Sequence, residues 1–179
     1  MSKSGRRPAP ATGARSGRRI PVLAAAAALV VVGGTSAALF AARPNADPPP
    51  WRLTPGDAAV VAQGRAIYAE TCAVCHGANL EGEADWRTRR RDGLLPAPPH
   101  DASGHTWHHP DRVLFDLTKY GVARAAGLTG YASAMPAYEG QLSDAEIVAV
   151  LSFIKSTWPD DIRAGHDRLT AQSEKDTRS

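Results

Sequence analysis

The only two cysteines of this 179-residue chain, Cys72 and Cys75, lie three positions apart, and His76 follows directly. No other feature restricts the fold as strongly as this Cys-Ala-Val-Cys-His run. C-x-x-C-H is the spacing of covalent haem attachment. Two thiols add to the two vinyl groups and form thioethers that do not dissociate. The adjacent imidazole is then held against the iron as an axial ligand. Three other chemistries use close cysteines, and each lacks something here. A thioredoxin-like dithiol needs alternating strands and helices, and the sequence shows no alternating strand pattern. A zinc site needs two more soft ligands, and no further cysteine exists. A disulfide between positions 72 and 75 leaves His76 without a role. The cofactor predicted is one covalent haem c, attached at Cys72 and Cys75 with His76 on the iron.

The sixth position on the iron points to Met135. The chain has two methionines, and Met1 belongs to the basic N-terminal segment. Met135 sits in Ala134-Met135-Pro136-Ala137-Tyr138, a loop pattern just before the last clear helix. In a globular core a lone methionine is ordinarily a gap-filler. In a chain already committed to haem, a loop thioether followed by proline reads as an axial ligand.

The first fifty residues carry a separate message. Residues 1–19 are rich in Arg, Gly, Pro, Ala and Ser without apolar periodicity, and read as a disordered basic tail. Residues 20–42 are 23 consecutive uncharged positions. At about 1.5 Å per residue they are long enough to span a hydrocarbon core of roughly 30 Å. Six Lys or Arg residues precede this span, so the positive-inside rule puts the N-terminus in the cytoplasm and the remainder outside. The competing reading is a cleaved signal peptide, with small residues at Thr35, Ser36, Ala37 and Ala38. The leader and span are long for that, and a retained signal-anchor is predicted. Residues 43–50 form a proline-rich linker that places the next domain roughly 25 Å from the membrane when extended. Residues 51–159 are then the haem domain and 160–179 a polar C-terminal tail.

Net charge argues against a nucleic-acid partner. Seven of the 21 basic side chains but one of the 18 acidic ones lie in the first fifty residues, leaving 14 basic and 17 acidic groups beyond them. The basic character belongs to the tail, and the domain shows no basic footprint.

Helical signals dominate the domain. Thr54 is a candidate cap for a helix starting at Pro55, with Val60, Val61, Gly64, Ile67 and Tyr68 at helical spacing. A second helix is predicted over 110–120, with Val113, Leu114, Leu117 and Tyr120 on one face and Gly121 as its stop. The third is the clearest. Ser143 and Glu146 form a capping box, Ile147, Val150, Leu151, Ile154 and Trp158 make a stripe, and Pro159 ends it.

Taken together, Gly64-x-x-x-Tyr68, CAVCHG and MPAYEGQLSDAEIVAVLSFIKSTWP resemble a class I cytochrome c from Gly56 to Trp158. The resemblance implies an all-α fold in which the first and last helices cross around one haem, here preceded by one transmembrane helix. It implies that Gly64 and Tyr68 pack against Val150 and Phe153, the glycine allowing close approach. Axial ligation by His76 and Met135 is implied again. A proline carbonyl, from Pro98 or Pro99, is implied as the acceptor that orients the proximal imidazole.

Between the two ligands lies a histidine-rich insert, with His100, His105, His108 and His109 around Trp107. Trp107 is placed to donate its indole N–H to a haem propionate. The histidines are expected to line the haem edge and hydrogen-bond propionates, the alternative being a copper or zinc site. One-electron transfer in an extracytoplasmic respiratory chain is the leading function, with membrane-bound respiratory complexes or dehydrogenases as redox partners. Two alternatives stand beside it. One is a haem peroxidase or gas sensor with a labile methionine; the other is a metal-handling or assembly factor built on residues 100–109.

Overall fold

Asp57 begins the first helix, α1 (Ala58–Ile67), by accepting the backbone N–H groups of Ala59 and Val60 at 2.9 and 3.2 Å. This differs from the expected start at Pro55 under a Thr54 cap. The N–H of Thr54 donates to Ser152 Oγ at 2.9 Å, tying the entry loop to the last core helix. The carboxylate of Asp57 then meets the orphan donors of the first turn. These features come from a computed structural model that describes residues 49–179. The expected basic tail, the span 20–42 and linker residues 43–48 lie outside the described residues. Among the described residues, no helix is long and apolar enough to cross a membrane.

The chain leaves α1 through a π-helical turn, Tyr68–Cys72, and enters a short helix, α2 (Ala73–His76). A π turn holds one residue more than an α turn, so it rotates the next segment by about 100° around the helix axis. The cysteine pair and His76 therefore leave the helix on a different face from the α1 residues that meet the core. Gly77, at φ +80°, ends α2.

After a long irregular segment, a 3₁₀ turn (Thr106–His108) leads into α3 (Asp111–Tyr120), which Gly121 stops. The buried side of α3 is Asp111, Leu114, Phe115 and Thr118. It is rotated from the expected face, and Val113 is exposed while Leu117 and Tyr120 are half-buried. The apolar count alone missed this because Asp111 and Thr118, two polar residues, belong to the buried side. A short helix, α4 (Val122–Ala125), precedes the loop that carries Met135.

α5 (Asp144–Ser156) opens with the predicted capping box, both halves of which are made by Ser143 and Glu146. The predicted stripe is buried throughout: Ile147, Val150, Leu151, Ile154 and Trp158 are each at most 6% exposed. Each such side chain contributes on the order of 1.5–3 kcal/mol by leaving water. α1 and α5 make the most extensive helix–helix contact in the molecule. Gly64 sits at their crossing, against the Ala149 carbonyl and Phe153 Cβ. The nearest atoms thus belong to Ala149, the residue before the expected Val150, and to the expected Phe153. The Tyr68 and Phe153 rings meet with centroids 5.5 Å apart, and Tyr68 Oη donates to Gly77 O at 2.8 Å.

Residues 160–179 are not a tail. They form the longest helix described, α6 (Asp160–Arg178), with Pro159 as its N-cap. Its buried residues are His166 and Thr170. Both dock on polar groups: His166 Nε2 donates to His109 O at 2.8 Å, and Thr170 Oγ1 accepts Asp111 N–H at 3.1 Å. Lys155, on α5, pairs with Asp111 at 3.2 Å and with Asp167 at 2.8 Å. Arg52 reaches Glu174 at 2.6 Å. Apolar periodicity could not reveal a helix held by hydrogen bonds and ion pairs.

Candidate haem-binding site

His76 is the best-defined element of the site. Its ring is 7% exposed, and Nδ1 lies 2.8 Å from Pro98 O. A carbonyl only accepts, so Nδ1 carries the hydrogen and Nε2 keeps the lone pair needed to bind a metal. Of the two prolines considered, Pro98 makes this bond. The Pro99 carbonyl faces Gly104 and the Thr106 hydroxyl instead. Burial lowers the His76 pKa, outweighing the Pro98 hydrogen bond and the Glu83 charge, which act in the opposite direction. Burial thereby favours the neutral imidazole.

Cys72 and Cys75 are free thiols, Cys72 half-buried and Cys75 exposed. Burial, with the neighbouring Cys75 adding to it, pushes the Cys72 pKa up to about 11. Val74, between them, is 86% exposed. The segment thus holds an exposed thiol at Cys75, a half-buried one at Cys72 and a metal-ready imidazole at His76 close together. That donor set fits a haem attached by thioethers and ligated by His76.

Met135 is half-buried in the loop after α4. Its backbone N–H donates to Ser133 Oγ at 3.1 Å. The downstream end of the loop is pinned to α3, because Tyr138 N–H reaches Thr118 O at 3.1 Å and Glu139 N–H reaches Lys119 O at 2.9 Å. Tyr138 Oη also donates to Thr71 O at 3.5 Å. Only Pro136 and Ala137 separate Met135 from Tyr138, so the methionine loop is tied to the residue preceding Cys72.

The histidine-rich insert separates into different environments. His100 stacks on His76, with ring centroids 3.9 Å apart and planes 21° apart. It therefore stands beside the proximal imidazole, on the same side of any iron bound there. Burial, then the neighbouring His76 and His105, hold its pKa well below the usual imidazole value. His105 stacks on Trp86, with centroids at 5.1 Å, and meets His109 edge-on. His108 is exposed and stacks on Trp107. Among the described residues no group of three or more His, Cys, Asp or Glu side chains is arranged to hold a metal ion. The Trp107 indole N–H is buried and has no acceptor among the described residues. An orphaned donor of this kind suits an anionic acceptor such as a propionate.

Comparison with known proteins bears directly on this donor set. The cytochrome c family model matches residues 61–158, more than half of the chain and all of α1 through α5 beyond its first turn. The chain belongs to the cytochrome c family. It is 31% identical over 101 residues to cytochrome c6 of Picosynechococcus sp., covering 56% of this chain and 76% of that protein. No solved structure matches it. This class I c-type cytochrome is all-helical around a covalently bound haem c, and it is an electron carrier rather than an enzyme. α6 lies beyond the residues that the family model matches. Sequence reasoning missed His100 as a neighbour of His76 and missed α6. The only signal for the former was its place two residues after Pro98.

Proposed function

We propose that this cytochrome transfers single electrons through an iron held between His76 and Met135, on the outer face of a membrane to which residues 20–42 anchor it. The observation that carries the ligand assignment is the 2.8 Å bond from His76 Nδ1 to Pro98 O, which leaves Nε2 as the lone-pair donor. Met135 is the second ligand because it is the one thioether after Met1, and its loop is tied to Thr71 through Tyr138. His100 does not compete for that place, since it stands on the His76 side.

Bound haem c supplies the Fe(II)/Fe(III) couple. With His76 and Met135 both holding it, neither a substrate nor a gas would have open access to the metal. A soft thioether also favours the reduced state and raises the potential. The uncharged span 20–42 and the basic residues before it support anchoring with the haem domain outside. A tether that short limits the domain to partners in the same membrane or to soluble proteins that reach it. Quinol-oxidising or dehydrogenase complexes on one side and a membrane-bound acceptor on the other fit that constraint, the setting of a respiratory chain.

Met135→Ala tests the ligand assignment. It should open the sixth position, lower the potential and let carbon monoxide bind the reduced protein. An unchanged spectrum and potential would show that another group ligates the iron.

A further inference from the structure

His100 takes no part in attaching the cofactor, yet the fold fixes it in place at several points. Its backbone N–H donates to Leu80 O at 2.8 Å, and its carbonyl accepts the indole N–H of Trp158 at 2.8 Å. Its ring Nδ1 lies 2.8 Å from Thr106 Oγ1. The Thr106 hydroxyl, which is buried, donates onward to Pro99 O at 3.4 Å. Its own hydrogen is used there, so it accepts from His100 and fixes that ring as the Nδ1–H tautomer. The Tyr68 ring meets the same imidazole edge-on, with centroids 6.4 Å apart and planes at 71°. The residue is therefore oriented by both its backbone and its side chain.

What this rigid ring touches is His76. The Pro98 hydrogen bond fixes where one edge of the His76 imidazole points. A single hydrogen bond still lets the ring pivot about the line from Nδ1 to the carbonyl oxygen. A flat partner 3.9 Å away and within 21° of parallel blocks that pivot. The two constraints are complementary: the carbonyl sets an edge, and the stacked face sets a plane.

We propose that His100 is a positioning residue for the proximal ligand, its stacked ring setting the plane of the His76 imidazole and so the direction in which that ligand overlaps the iron's π-symmetry orbitals. This rests on His76 being an axial ligand. The plane of an axial imidazole decides how unpaired spin in the ferric state is shared among the quadrants of the porphyrin. Ring orientation can therefore be read without any assay of electron transfer. Outer partners that hold a metal-bound histidine are known to orient it by hydrogen bonds. Here the orienting contact is a ring face, supported through Thr106 and Trp158.

The test is proton NMR of the oxidised, haem-loaded full-length protein, following the four hyperfine-shifted haem methyl signals. His100→Ala should rearrange their order or change their spread. His100→Phe, which keeps a flat partner, should stay near wild type. Thr106→Val keeps the imidazole but loosens its hold, and should shift the same methyls in the same sense by less than His100→Ala. Should the alanine variant not fold, Thr106→Val decides the matter: a wild-type methyl pattern in that variant overturns the proposal. The proposal is overturned if His100→Ala keeps the wild-type methyl pattern, or if His100→Phe departs as far as alanine does. A wild-type spectrum without the hyperfine-shifted ring protons of an iron-bound His76 would overturn the ligand assignment as well. That outcome is seen before any variant is made, so the two failures are distinct.

Discussion

Gly64 faces the carbonyl oxygen of Ala149 across the α1–α5 crossing so closely that a Cβ at position 64 would overlap it. The same Cβ would lie 2.9 Å from Phe153 Cβ. The obstacle is largely backbone, which cannot swing aside as a flexible side chain could. The crossing supports the site directly, since α1 continues through the π turn into Cys72.

Gly64→Ala should therefore destabilise the protein by about 3 kcal/mol or more, at the upper end of overpacking effects, although alanine is the better helix former. Denaturant unfolding of the haem-loaded protein measures this. A loss below about 0.5 kcal/mol, the range of ordinary surface substitutions, would mean that the helices can part at no cost.

A second prediction concerns acid. His166 is 1% exposed and lies among Lys155, Asp111 and Asp167, with its Nε2 on His109 O. Burial, followed by the Lys155 charge, lowers its pKa from 6.5, against the opposing pull of Asp111, His109 O and Asp167. Between the folded value and 6.5 the unfolded chain binds more protons than the folded one. Stability then rises with pH in that window and is lost as pH falls through it. His166→Gln keeps an N–H for the His109 carbonyl but cannot titrate. Its stability should fall less steeply than wild type between about pH 7 and 5, as read from urea midpoints. Equal slopes would show that His166 does not set the acid response, leaving His100, His105 and His109, whose values burial also lowers.

The third prediction comes from the tether. A chain starting at Trp51 should keep the spectrum and potential of the full protein, because every proposed ligand lies downstream. It should deliver electrons more slowly in intact cells, because anchoring raises the local concentration of membrane partners without new contacts. In detergent the bimolecular rate should be nearly unchanged. Mature protein that begins just after Ala37 or Ala38 and is found in the soluble fraction would refute the anchor.

Much of this structure is visible in the sequence wherever a residue's role is local. The capping box at Ser143 and Glu146, the stop at Gly121 and the stripe from Ile147 to Trp158 depend on near neighbours, and each appears where spacing puts it. The cysteine pair and His76 are likewise a local pattern. What spacing could not show are pairings across the chain. Asp111 is 1% exposed because Leu53, Lys155 and Thr170 surround it, residues 44 to 59 positions away. α6 reads as a tail for the same reason, its buried face being a histidine and a threonine. The N–H of Thr54 is likewise tied to Ser152, 98 residues on. The stacking of His100 on His76 belongs with these, since a two-residue offset from Pro98 does not say which way a ring will face.

Whether the iron sits between His76 and Met135 is decided by methionine labelling. The chain has only Met1 and Met135, so protein grown with methyl-¹³C methionine gives at most two methyl signals. In the reduced, diamagnetic protein, a methyl bound over the haem face is shifted far upfield by the porphyrin ring current. Ligation by Met135 predicts one such signal, absent from Met135→Ala and retained in the chain that starts at Trp51. Two methyl signals at ordinary positions in the reduced wild type would contradict it.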